Sequence, residues 1–315
     1  MTSHTPAAPA QPAPSLTLRE LADQYFAEYD GRDDSRPHRI SWWVERFPDR
    51  PATSITDDDV FEGLEALAQG PARRYAGRDI DGRRIFRARA ERRSKSTLNR
   101  YHVALAALFS WAIKRRRMPK GWENPCRLIE RHREPDGVVR FLSDDERERL
   151  LVACRASAWP LMYALVLLAI TTGARRGELM RLKWSDLDFE RGCAYVCTTK
   201  NGEPRVLPLT PAAIAELQPK AGKPGALVFA SRLRTQKPFN FESAWIKARK
   251  AAGLKQFRFH DLRHTCASYL AQSGASLLEI ADVMGHRQIS MTRRYSHLTV
   301  KSKAMLVNRV LGSIE

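Results

Sequence analysis

The stretch from His260 to Tyr295, HDLRHTCASYLAQSGASLLEIADVMGHRQISMTRRY, constrains this chain more than any other. Its apolar residues recur at helical spacing over Asp261–Gln272 and again over Ser276–Met284, and Gly285 stands where a helix stops. A further helical segment is expected over Ile289–His297. Any fold built on this pattern must hold His260, Arg263, His286 and Tyr295 within one short region. Two residues upstream join the candidates: Arg175, in TTGARRGEL, and Lys200, in TTKNG.

The 315 residues exceed most single cores, which predicts two domains, and a hydrophobic fraction of 43% is ample for both. The charge is +18, from 53 Lys+Arg against 35 Asp+Glu. A generic basic surface would spread that excess. Here it gathers at Arg73-Arg74, Arg83-Arg84, Arg92-Arg93 and Lys114-Arg115-Arg116-Arg117, which points to a polyanion, nucleic acid first of all. The five cysteines, Cys126, Cys154, Cys193, Cys197 and Cys266, form no CxxC pair or zinc spacing and read as buried, reduced thiols. The longest apolar run, Leu161–Ile170, is too short to span a bilayer, and no signal peptide is visible. A cytoplasmic protein is expected.

Residues 1–14 are Pro/Ala-rich and read as a disordered tail. From residue 15 to 134 a mainly helical domain is expected. Thr17 with Glu20 has capping-box spacing, Trp42, Trp43, Val44 and Phe47 mark a second packed segment, and Thr56 with Asp57–Asp59 opens a third helix. Residues 70–96 are Arg-rich, carry the turn pair Asp81-Gly82 and read as a basic loop facing phosphates. An amphipathic helix follows from Thr97 to Met118. The punctuation at Pro119, Gly121, Pro125, Pro135 and Gly137 reads as a linker that closes over 135–140. The second domain, 141–315, opens with the Ser143/Glu146 capping box, and a buried helix runs from Pro160 to Thr172-Gly173. A strand over Cys193–Thr199 turns at Asn201-Gly202 and returns as Arg205-Val-Leu-Pro-Leu. Thr210-Pro211 starts a short helix, Leu227-Val-Phe suggests a third strand, and helices are expected over Asn240–Ala251 and from Val300 onward. The predicted class is mainly α with a small antiparallel β-sheet.

The candidate residues suit the breaking of a phosphodiester by an internal nucleophile. The transition state gathers negative charge on the non-bridging oxygens, and a guanidinium meets it with a planar, permanently charged fork. Arg175 and Arg263 fit that need, although Arg175 could equally form an ordinary ion pair with Glu178. A departing sugar 5′-oxygen needs a proton, and Lys200 beside the Asn201-Gly202 turn could reach into a cleft, although most lysines in turns are merely solvated. A tyrosine hydroxyl, with a pKa of about 10, needs a base or strong electrostatic help. His260 could take part in that transfer and His286 could bind a phosphate oxygen. His264 and His297 read as structural.

Together the four boxes TGARRGEL, TKNG with a returning strand, HDLRHT, and MGH with Tyr295 nine residues beyond His286 resemble the tyrosine recombinases, or phage integrase family. The resemblance covers about Phe141–His297; Met284 stands where that family often has leucine. It implies a helical core-binding domain followed by a tyrosine-recombinase catalytic domain. In the latter, Arg175, Lys200, His260, Arg263 and His286 activate the phosphate and Tyr295 attacks it. It further implies double-stranded DNA as partner, a 3′-phosphotyrosyl intermediate, no metal or cofactor, a homotetramer on paired sites, a nucleoid-associated location, and in some systems an accessory directionality factor. Two alternatives stay open: relaxation of DNA in the manner of a type IB topoisomerase, or a DNA-binding protein with a vestigial site.

Overall fold

The computed structural model describes residues 16–31, 33–78, 80, 84–134, 139–197, 204–231 and 236–299, with 307, 308, 310–312 and 314 of the C-terminal segment. The tail 1–14, the linker residues 135–138, Arg83, and the Lys200–Gly202 turn lie outside them, as does most of the segment from Val300. The chain divides into two compact units, 1–136 and 137–315. Among the described residues no helix is long and apolar enough to cross a membrane.

In the first unit, helix α1 (Leu18–Glu28) and helix α3 (Asp57–Gln69) open with reciprocal capping boxes, Thr17/Glu20 and Thr56/Asp59, and α2 (Arg36–Arg46) lies between them. Helix α4 (Lys95–Lys114) starts at an Ser94 cap, slightly ahead of the expected Thr97. The four helices bury a core around Leu21, Ile40, Trp43, Val60, Leu105 and Phe109. Trp43 is fully buried and donates its indole N–H to the Tyr101 carbonyl at 3.1 Å, so its polar atom is satisfied inside the core.

The basic stretch between α3 and α4 is not a loop. Strands β1 (Pro71–Arg78) and β2 (Arg84–Arg92) pair antiparallel, from Pro71↔Arg92 to Arg78↔Arg84, with register shifts after Pro71 and after Tyr75. Apolar residues alternate with arginine from Phe86 to Ala90, a period-2 pattern whose charges hide the strand signal.

The second unit begins with α5 (Asp144–Arg155), capped by Ser143 and Glu146, and α6 (Met162–Thr172). Helix α6 is apolar on nearly all sides and is buried accordingly. It stops at Gly173, whose φ of 59° is left-handed and whose missing Cβ leaves room for the Met284 sulfur. After the short α7 (Arg176–Leu179), strands β3 (Leu187–Asp188), β4 (Cys193–Val196) and β5 (Arg205–Pro208) form an antiparallel sheet in that order. Helices α8 (Pro211–Leu217), α9 (Glu242–Ala251), α10 (Asp261–Gln272) and α11 (Leu277–Met284) follow.

Three further expectations need correction. Leu227 makes an isolated bridge to Lys183 rather than a third strand. Ile289–Met291 and Arg293–Thr299 are 3₁₀ segments, not one α-helix. The cysteines are all free, but only Cys126, Cys154 and Cys266 are buried. Alternation along β4 turns Ala194 and Val196 inward and leaves Cys193 half-buried and Cys197 exposed.

Candidate active site

Three guanidinium groups meet the C-terminal end of α11. Arg205 Nη1 donates to the Val283 carbonyl at 2.8 Å, Arg263 Nη2 donates to the Met284 carbonyl, and Arg175 Nη2 donates to the Gly285 carbonyl at 3.3 Å. A helix leaves its last carbonyls without internal partners, and they carry the negative end of its dipole. The end of α11 therefore collects positive side chains from three other places: the turn before α7, strand β5 and helix α10. Arg263 also donates to the Gly173 carbonyl, which ties α10 to the end of α6.

Glu178 joins two members of this cluster. Its carboxylate accepts from Arg175 Nη1 at 2.9 Å and from Arg205 Nη2 at 2.8 Å, and the residue is only 2% exposed. Burial raises its carboxyl, but the Arg175 backbone N–H and the charges of Arg205 and Arg175 outweigh that and hold it below the usual carboxylate range. One carboxylate against three guanidiniums leaves net positive charge in a shielded place. Arg263, 5% exposed, accordingly has its guanidinium pushed down to about 10, by burial first and then by Arg175 and Arg205. An anion bound here relieves that repulsion.

Histidines border the cluster. His286 follows Gly285 directly, and its Nδ1 lies 2.8 Å from the buried Thr292 hydroxyl. Burial, then Arg263 and Arg175, push its pKa down to about 4. His260 stands at the N-cap of α10 and is also lowered, by burial and then by Arg263. His264 lies one turn further on, its ring 5.3 Å from that of His260. Its pKa falls to about 4, from burial and then His260.

Tyr295 packs with Cys266, Ala267, Ala271, Ile280 and Met284 and is 1% exposed. Its hydroxyl lies 2.6 Å from His264 Nδ1. Burial raises the phenol pKa, partly offset by Arg294 and Arg263.

Of the residues predicted from sequence, Arg175, Arg263 and His286 come together at the end of α11, His260 borders them through Arg263, and Tyr295 sits against α10. Lys200 lies outside the described residues. The ion pair to Glu178 that Arg175 could form is present as well. Arg205 is not among the residues predicted from sequence, and His264, expected to be structural, contacts the Tyr295 hydroxyl. For His264 a signal existed: four residues after His260, it shares a helical face with it. For Arg205 there was none, because its partner Val283 is 78 positions away. Among the described residues no group of three or more His, Cys, Asp or Glu could hold a metal ion.

In the first unit, Arg73, Arg74, Arg84 and Arg92 belong to β1 and β2, and Arg92 is exposed. Arg93 instead turns back to donate to the Leu67 carbonyl at 2.8 Å. Lys114, Arg115, Arg116 and Arg117 are exposed at the end of α4, where Arg115 pairs with Glu28 at 2.9 Å.

Known proteins resemble this chain along most of its length. The model of the Phage integrase family matches residues 140–302. The integrase of Salmonella phage P22 is 26% identical over 292 residues, 84% of this chain and 71% of the phage protein. A shufflon-specific DNA recombinase of Escherichia coli is 32% identical over 176 residues, 56% of this chain but 44% of that protein. Among solved structures, the Tn1549 transposon integrase in complex with transposon right end DNA superposes with a TM-score of 0.69 at 19% identity, covering 94% of this chain and 99% of that one. A lambda integrase dimer bound to a COC′ core site gives a TM-score of 0.64 at 21% identity, covering 91% of this chain and 79% of that one.

Proposed function

The chain belongs to the phage integrase family of tyrosine recombinases, and on that footing we propose that it breaks and rejoins duplex DNA at specific sites through a covalent link to Tyr295. The observation that carries this reading is the guanidinium cluster on the last carbonyls of α11, which leaves a shielded positive site in the unit that also buries Tyr295. Arg175 and Arg263 meet the charge on the phosphate oxygens, and His286 and His260 supply further donors around it. The Tyr295 hydroxyl attacks phosphorus to give a 3′-phosphotyrosyl link and a free 5′-hydroxyl. Lys200 is assigned the proton for the departing 5′-oxygen. Attack by a 5′-hydroxyl from a second duplex reverses the step. The phosphotyrosyl bond stores the energy of the one it replaced, so rejoining draws on no other source.

The β1–β2 hairpin and the Lys114–Arg117 cluster are assigned to phosphate contacts of the first unit, which makes binding strongly salt-dependent. Exchange between duplexes is assigned to a homotetramer on paired sites, with integration or excision of a mobile element as the outcome. In the described part of the C-terminal segment, Val307, Val310, Leu311 and Ile314 are exposed and suit docking on a neighbouring subunit.

Covalent trapping from a pool of randomised duplexes tests this. The wild-type protein should yield a protein–DNA adduct with a selected sequence, and Tyr295→Phe should yield none while still binding that sequence. An adduct that persists in Tyr295→Phe overturns the nucleophile; relaxation of supercoiled DNA without exchange between duplexes overturns recombination.

A further inference from the structure

We propose that His264, rather than His260, is the general base that takes the proton from the Tyr295 hydroxyl. This rests on the function proposed above and adds a residue to its chemistry. The contact that carries it is the 2.6 Å separation between His264 Nδ1 and Tyr295 Oη, made inside a packed region where the tyrosine is 1% exposed. General bases act within about 2.6–3.2 Å of the proton they remove. Of the other two candidate histidines, His286 has its Nδ1 against the Thr292 hydroxyl, and His260 faces His264 edge to face at 5.3 Å. His264 thus contacts both His260 and the nucleophile.

The direction of the hydrogen bond follows from the surroundings. Burial raises the phenol, so it keeps its proton, and burial lowers the imidazole to about 4, so it is neutral near pH 7. A neutral ring whose Nδ1 accepts from the phenol carries its own proton on Nε2. The groups facing His264 are His260 and Asp261 on its own helix, Arg258 just before it, and Arg294 from the 3₁₀ segment that bears Tyr295. Arg263 and Cys266 also act on the phenol. His260, Arg258 and Arg294 disfavour an imidazolium, whereas a phosphodiester anion held by the nearby arginines favours one. Binding of DNA therefore strengthens this base at the point where it is used.

Oη forms its bond to phosphorus while its proton passes to His264 Nδ1. The bond from phosphorus to the 5′-oxygen breaks, and that oxygen leaves with a proton from the acid assigned to Lys200. In the reverse reaction the imidazolium returns its proton to the departing phenolate.

The test uses the duplex that the wild-type protein selects, made as a nicked substrate that traps the adduct. Wild-type adduct formation, and its loss in Tyr295→Phe, checks the function itself, so failure there is separate from failure of the base. His264→Phe should slow adduct formation by about 10²–10⁴-fold near neutral pH. Its rate should climb with pH where the wild-type rate is level, because phenolate then forms without a base. Placing a ring-fluorinated tyrosine, a stronger acid, at position 295 should rescue His264→Phe selectively. An unchanged or faster His264→Phe, or a slow one with no rescue, overturns the proposal. A second measurement needs no DNA: imidazole ¹⁵N spectra should show His264 with Nδ1 unprotonated and Nε2 protonated, the Nδ1 signal moving in Tyr295→Phe. A protonated Nδ1 near neutral pH overturns it whatever the kinetics.

Discussion

Glu178 determines how three arginines can sit side by side. It is buried, accepts from two of them, and its charge favours the charged form of the third, Arg263. Glu178→Gln keeps the shape and removes the charge, leaving guanidiniums that repel one another in a shielded place. Breaking a buried ion pair typically costs about 3–5 kcal/mol, so the urea midpoint should fall markedly. Because the native cluster would then bind anions more tightly than the unfolded chain, added sulfate should recover more stability in the variant than in the wild type. Equal recovery would show that the cluster is not an anion site. The arginines themselves separate binding from chemistry. Loss of one donor to developing charge costs about 10²–10³ in rate, so Arg175→Ala or Arg263→Ala should lower adduct formation far more than duplex affinity. A parallel fall in both would place the arginine concerned in docking alone.

Helix α11 is short, and its value lies in how it ends. Gly285 takes the left-handed conformation, φ 61°, and a Cβ there would stand 2.9 Å from Arg205 Nη1. Gly285→Ala should cost about 1–2 kcal/mol for the backbone alone and displace Arg205 as well. Asn tolerates that conformation better than Ala yet carries the same Cβ. Gly285→Asn should therefore recover part of the stability, measured by urea unfolding, but not the rate of adduct formation; recovery of both in step would mean that Arg205 has no part in shaping the site. The stop at Gly285 was legible in the sequence, as were the Thr17, Thr56 and Ser143 caps, because each is set by residues within a single turn. What fills the stop was not. The carbonyls of α11 take arginines from 21 and 78 positions away, and the Tyr295–His264 contact spans 31. The β1–β2 hairpin is not legible in the sequence for another reason: its strands are mostly arginine and small residues, so charge masks the alternation.

The two units also share a response to pH, which follows from their histidines. His102 in the first unit, and His260, His264 and His286 in the second, all have pKa values lowered mainly by burial, the last two to about 4. In the unfolded chain each returns to about 6.5. Below that value the unfolded state binds protons that the folded state refuses, so stability falls as pH falls. The loss begins near pH 6.5 and continues toward about 4, where His264 and His286 protonate even when folded. Glu178, whose carboxyl lies below the usual range, adds a loss of the same sign only once the pH drops under about 4.5. Between about pH 6.5 and 4.5 the slope belongs mainly to the histidines. The urea midpoint should therefore drop from about pH 7 to about pH 5, and His286→Gln, which cannot titrate, should flatten that drop. If the phosphate lies against these rings as proposed, a bound duplex should oppose the trend by favouring their protonated forms. Acid sensitivity in urea should then be smaller with the selected duplex bound than without it. Equal slopes with and without the duplex would mean that the phosphate does not lie against these histidines.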